Sequence, residues 1–312
     1  MNSGKLAGLA WALSALVLHG CSAPQTRHIL AQPDTLPERA AVPDVPFIPQ
    51  KEYYCGPASL AMMLGWAGIP ADQESLADQV YTPGKQGTLP LDVLAAARRN
   101  GALAVDVKSL HDLLAEIAAG HPVMVFQNLG LKIWPRWHFA VAVGYDLPRE
   151  QLVLHSGTDP RRLTNLNAFE RTWRRAGYWA VTVTTPDRLP AEADELPVLR
   201  AAAGIERAGR FDAARTAYRT ISGRWPDSII ARMGLGNVAY KQGDHFEAAA
   251  AFREAIGIND TYAPAWHNLA NALAAQGLRD EAIAAARQAV ELGGEHLKVY
   301  RLTLDEISAG IP

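Results

Sequence analysis

Gln50-Lys51-Glu52-Tyr53-Tyr54-Cys55-Gly56-Pro57-Ala58-Ser59-Leu60 places a cysteine directly before Gly-Pro and an apolar run, with a glutamine five residues upstream. Pro57 suits the first turn of a helix, where a missing N–H is not needed. Cys55 therefore stands at a helix N-terminus, where unpaired N–H groups and the helix dipole favour an anion. A thiolate is such an anion, and this setting lowers a thiol's pKa. The competing reading is a small buried hydrophobe at a helix start.

The remaining cysteine bears on that choice. The chain has 312 residues and 2 cysteines. Lys5, an apolar run over residues 6–18 and then Leu18-His19-Gly20-Cys21-Ser22 make a segment too short to span a bilayer and suited to export. Its ending resembles a bacterial lipobox, with His19 an unusual occupant. The resemblance implies a signal peptide over 1–21, acylation of Cys21 and, with no aspartate following, an outer-membrane lipoprotein facing the periplasm. A lipidated Cys21 leaves Cys55 without a disulfide partner, and an unpaired thiol in an oxidising envelope is a liability unless used or buried. That favours a nucleophile.

A formal net charge of -2 gives no global pull toward nucleic acid or an anionic membrane surface. Residues 22–44, rich in Pro, Ala and Gln with no period, read as a flexible tether. A seam at residues 186–194 separates mixed helix and strand patterns from an alanine-rich helical region. Within 45–188, helices are expected first, from Gly56, around 73–80, over 91–99 and from Ser109 to Gly120. Strands follow at 122–127, 138–145, 151–155 and 178–184, the middle pair joined by Asp146-Leu147-Pro148-Arg149-Glu150, with a helix holding Phe169 and Trp173 before the last. Helices first and an antiparallel sheet second is α+β.

Gln50-x4-Cys55-Gly56-Pro57-Ala58-Ser59 followed by Trp137-His138-Phe139-Ala140-Val141-Ala142-Val143-Gly144-Tyr145-Asp146 resembles the papain-like bacteriocin-processing (double-glycine, C39-like) cysteine peptidases over roughly 45–185, in their stand-alone lipoprotein branch. The resemblance implies Cys55 as nucleophile, His138 as the base that ionises it, and Gln50 as oxyanion donor beside the Cys55 backbone N–H. A family Asp or Asn is expected at the end of the strand after His138, where this chain reads Leu154-His155-Ser156-Gly157-Thr158-Asp159-Pro160. Pairing Asp146 with Gln151 sets Asp159 opposite His138, about 5 Å away as a cross-strand neighbour. A bulge at Gly157 instead brings Ser156 or His155 there. Asp159 is the expected third member. His111, within a helix, and His121, before a proline, read as solvent-facing or packing residues.

Beyond residue 195 the chain repeats itself. Leu235-Gly236-Asn237 returns as Leu269-Ala270-Asn271, Gly243 as Gly277, Ala248 as Ala282 and Ala255 as Ala289, each 34 residues on. This resembles the tetratricopeptide repeat: a degenerate unit over 195–228, clear units over 229–262 and 263–296, and a capping helix over 298–308. The expected whole is an α+β papain-like peptidase domain followed by an all-α repeat solenoid. The resemblance implies peptide hydrolysis by an envelope-anchored enzyme, with a peptide or protein partner in the repeat groove. No metal or organic cofactor is implied, since no Cys/His cluster stands at ligand spacing and no glycine-rich phosphate loop occurs. Rival readings are a non-catalytic repeat scaffold with a relic peptidase domain and a papain-like amidase acting on peptidoglycan stems.

Overall fold

The computed structural model of the chain describes residues 23–32 and 35–310; Cys21 and the export segment lie outside them. The chain divides into two compact units, Met1–Ala97 with Ala104–Thr184 and Pro190–Glu192, and Arg98–Leu103 with Thr185–Leu189 and Ala193–Pro312.

The first unit opens with helix α1 (Pro24–Ala31) and strand β1 (Arg39–Ala41). Here the expected tether is corrected. Ala23, Thr26 and Ile29 are buried, and the fully buried Glu170 carboxylate accepts the N–H groups of Gln25 (3.1 Å) and Thr26 (2.7 Å). Those are donors of the first helical turn that no local side chain satisfies. Local composition carries no trace of a partner about 145 positions away.

Helix α2 (Cys55–Trp66) follows, then α3 (Gln73–Val80), started by Asp72, whose carboxylate accepts from Ser75 N–H. A small hairpin of β2 (Tyr81–Thr82) and β3 (Gly87–Thr88) precedes α4 (Pro90–Arg99), β4 (Leu103–Asp106) and α5 (Leu110–Ala118), which Ser109 caps. The sheet continues with β5 (Val123–Asn128), β6 (Trp137–Asp146), β7 (Gln151–Ser156) and β8 (Asp159–Asn165). Helix α6 (Leu166–Arg174), capped by Asn165, leads to β9 (Ala180–Thr184). Sheet order is β4-β9-β5-β6-β7-β8, with β1 added along β6. A core of Val123, Val125, Ala140, Ala142 and Leu154 from the sheet packs on Leu110, Leu113, Leu114, Phe169 and Trp173 from α5 and α6. The N-terminal unit is thus α+β.

The β6–β7 register departs from the expected one. Asp146↔Gln151, Tyr145↔Leu152 and Gly144↔Val153 pair as anticipated, but the ladder slips between Gly144 and Ala142, so that Val141 meets His155. Strand β7 then reverses through Gly157 (φ 68°) and Ser156 pairs with Asp159 across a tight turn. Asp159 begins β8, one strand further from β6 than the unslipped register requires.

The second unit is a run of helices: α7 (Glu195–Arg207), α8 (Phe211–Arg224), α9 (Ile229–Lys241), α10 (His245–Ile258), α11 (Ala263–Ala275), α12 (Arg279–Leu292) and α13 (Leu297–Ala309). Small residues let neighbouring helices approach. Ala248, Ala255, Ala282 and Ala289 are fully buried, and a Cβ on Gly236 would stand 2.3 Å from the Phe252 ring. The helices form a tetratricopeptide-type solenoid.

Candidate active site

Cys55 is the first residue of α2. The N-cap, Tyr54, contributes no side-chain cap, and Tyr53 before it takes a left-handed φ of 63°. The first-turn N–H groups therefore stay open toward the thiol. Gly56 is required by space, because a Cβ there would meet the Thr88 side chain of β3 at 2.5 Å. The N-terminus of α2 thus presses directly on the small hairpin.

His138 is the second residue of β6. Strand β7 leaves β6 after the Val141↔His155 pair, so on that side β6 runs on alone past Ala140. The backbone N–H groups of Phe139, Gly56 and Cys55 lie near enough to the thiol to favour its anion. Cys55 on the helix tip thus neighbours Phe139, the residue after His138 on the adjoining strand. His138 Nε2 lies 2.8 Å from Ser156 Oγ.

The Ser156–Gly157 turn organises the site twice. Ser156 holds the imidazole, and the Gly157 carbonyl accepts the Gln50 backbone N–H at 3.1 Å. The half-buried Gln50 side chain makes no hydrogen bond among the described residues, so its amide is unspent. His155 braces the approach to Gln50, with Nε2 3.2 Å from the Val45 carbonyl, Nδ1 accepting from Arg161 N–H at 3.3 Å, and its ring edge-on to Phe47.

Two expectations are corrected. Asp159 does not face His138; it is exposed at the start of β8, and the slip between Ala142 and Gly144 together with the turn at Gly157 puts Ser156 at the imidazole instead. The direction at the thiol also differs from the one expected of a helix N-terminus. Burial pushes the Cys55 thiol up, outweighing the N–H groups of Phe139, Gly56 and Cys55 that favour its anion. Burial first, then the positive charges of Arg162 and Arg136, lower His138 from its ordinary value to about 4. Both shifts favour the uncharged forms. Sequence pattern alone does not reveal this, because it depends on burial and on an arginine from β8.

The other histidines stand apart. His121 Nδ1 is 2.7 Å from the buried Glu116 carboxylate, and His111 lies 3.7 Å from Asp112. Trp173 is fully buried with its N–H on the Trp179 carbonyl (2.8 Å), whereas Trp137 is exposed and stacks on Phe126 at 5.2 Å. Among the described residues no three His, Cys, Asp or Glu side chains converge as metal ligands. A thiol on a helix tip near backbone N–H groups and an imidazole on the adjoining strand are the group types that acyl transfer through sulfur requires.

Residues 42–181 match the family model described as "Peptidase_C39 like family", and residues 206–264 and 263–293 match tetratricopeptide repeats. The chain carries a C39-like peptidase domain followed by two tetratricopeptide repeats. Among solved structures it is similar to a candidate C39-like peptidase from Bacillus anthracis, at 23% identity and TM-score 0.41, covering 47% of this chain and 98% of that one. It is also similar to SycD, the type III secretion translocator chaperone of Yersinia enterocolitica, at 16% identity and TM-score 0.35, covering 36% of this chain and 80% of that one. No curated protein matches the chain.

Proposed function

We propose that this protein is a cysteine peptidase of the cell envelope, tethered by lipid on Cys21, with a repeat module that holds a protein partner or substrate. The reading is supported by Cys55 at the tip of α2 near the Phe139 backbone, which follows His138 on β6, and by the His138 imidazole held at Ser156. On substrate binding, the thiol proton passes to His138 as sulfur bonds to the peptide carbonyl carbon. The carbonyl oxygen takes the negative charge against the Cys55 N–H and the Gln50 amide. The C–N bond then breaks with the imidazolium proton delivered to the leaving amine. Water, deprotonated by His138, releases the acid from the thioester.

A thiol-directed peptidyl probe tests this. Labelling of Cys55, lost in Cys55→Ala and in His138→Ala, supports the peptidase. Gln50→Ala lowers kcat by roughly 100- to 1,000-fold, the usual effect of removing one oxyanion donor. A second reading, a repeat scaffold with a relic peptidase domain, is favoured by a hydroxyl where a carboxylate is expected and by the two arginines that depress His138. Unlabelled Cys55 and no acyl-enzyme by intact mass would select it.

A further inference from the structure

The connection from β5 to β6, residues 129–136, is a closed hairpin. The Asn128 side-chain oxygen accepts from both Gly130 N–H and Arg136 N–H at 2.9 Å, Leu129 N–H donates to the Arg136 carbonyl (2.9 Å), and Leu131 N–H to the Trp134 carbonyl (3.1 Å). A Cβ on Gly130 would stand 2.3 Å from the Trp134 carbonyl oxygen, so the loop closes on itself. This fixed tip presents Leu131, Ile133 and Trp134 at 63%, 75% and 76% exposure, with Lys132 among them and Arg136 exposed at the base. Lys132 and Arg136 make no ion pair among the described residues. Large apolar side chains gathered on one protruding tip mark a surface that meets something other than water.

The root of the hairpin and the first described helix are both tied to α6. Arg175, just past α6, donates to the Asn128 carbonyl at the root of the hairpin (3.2 and 3.0 Å). Five residues earlier on the same helix, Glu170 fastens the first turn of α1. Five helical residues advance about 7.5 Å. The hairpin root and the first described helix are therefore both fastened to α6, one just past its C-terminus and one at its middle.

We propose that the 131–134 tip is a membrane contact of its own, entering the headgroup–acyl boundary of a phospholipid bilayer. An indole and two branched aliphatics with a lysine among them suit that boundary, the rings and methyls below and the cations at anionic headgroups. An apolar substrate side chain fits the tip less well, since the end of a hairpin leaves most of each side chain outside any groove. Membrane delivery follows the envelope reading above; the contact itself does not require Cys21 to carry lipid. Because His138 lies two residues beyond Arg136, the contact would hold the active site close to the bilayer and select membrane-proximal polypeptide as substrate.

The test uses the mature chain, without the apolar 6–18 segment and its Trp11, on vesicles of phosphatidylethanolamine and phosphatidylglycerol with brominated acyl chains, reading tryptophan emission. Bromolipid quenching is expected in the native protein, to be mostly lost in Trp134→Phe and in Ile133→Asp, and retained in Trp137→Phe. No quenching in the native protein, or equal quenching in Trp134→Phe, overturns the proposal. So does a Trp134→Phe variant that quenches like the native protein yet cleaves a soluble peptide poorly, which assigns the tip to substrate. Intact mass of the mature chain reports the anchor separately. Quenching without lipid on Cys21 upholds the contact and removes the lipoprotein reading; lipid without Trp134 quenching does the reverse.

Discussion

His138 Nε2 and Ser156 Oγ are joined at 2.8 Å, so a neutral hydroxyl stands behind the imidazole. A hydroxyl can fix the ring's direction, but it cannot stabilise imidazolium as a carboxylate does. Its loss is therefore worth about one neutral hydrogen bond, roughly 1 kcal/mol. Ser156→Ala is expected to lower kcat by about 5-fold with KM little changed. Ser156→Asp supplies a negative neighbour, raises the His138 pKa and moves the acid limb of the rate profile upward. Unaltered kinetics and an unaltered profile in both variants would remove Ser156 from the site.

The resting charge state gives a pH signature. His138 must be neutral to accept the thiol proton, so kcat/KM is lost as pH falls through its value of about 4. Above that the profile stays level through neutral pH, because the thiol is raised rather than lowered. Alkylation of Cys55 is accordingly slow at pH 7 and accelerates only on the alkaline side. The arginine charges lower His138, so removing one raises it: Arg162→Gln shifts the acid limb to higher pH, and Arg136→Gln with it shifts the limb further. Rapid alkylation at pH 7 in the native protein would show a thiolate and refute this reading.

These features differ in how far the sequence discloses them. The start of α2 is a local matter of Cys-Gly-Pro chemistry, and the 34-residue recurrence of Gly236/Ala270 and Ala248/Ala282 needs no structure to see. Third-position geometry at His138 is another matter. It turns on one unpaired residue between Ala142 and Gly144, a property of two strands together that neither strand's alternation encodes. Residues 24–31 lack a helical stripe strong enough to announce α1, since its first turn is completed by Glu170 from α6. Charge at Cys55 and His138 is set by burial, which a motif does not report.

Gly56 is held by space rather than by backbone freedom. The Thr88 Cβ, Oγ1 and Cγ2 would lie 2.5, 2.5 and 2.8 Å from a Cβ at position 56, and a β-branched side chain has little room to swing away. Gly56→Ala must therefore push the N-terminus of α2 off β3, carrying Cys55 with it. Overpacking of this kind costs about 1–3 kcal/mol. Hydrolysis is expected to fall by more than stability does, because a small displacement of the nucleophile suffices. Adding Thr88→Gly removes all three opposing atoms and should recover part of the activity; a double variant no better than Gly56→Ala would show that the contact is not the cause.

In the solenoid the same logic acts between repeats. Gly236 on α9 faces the Phe252 ring of α10, with its missing Cβ 2.3 Å from the nearest ring carbon. One period later Ala270 and Ala286 take the two positions, both buried, so a larger residue on one helix coincides with a smaller one on the other. Gly236→Ala breaks that exchange and forces α9 and α10 apart, again at about 1–3 kcal/mol. Stability of a stacked array is a sum of neighbouring interfaces, so the loss should be local. Hydrogen exchange is expected to quicken over 229–258, and Phe252→Leu added to Gly236→Ala should restore part of the protection by yielding room at the ring. Uniform acceleration along all the repeat helices, with no recovery in the double variant, would show that the array opens as one block.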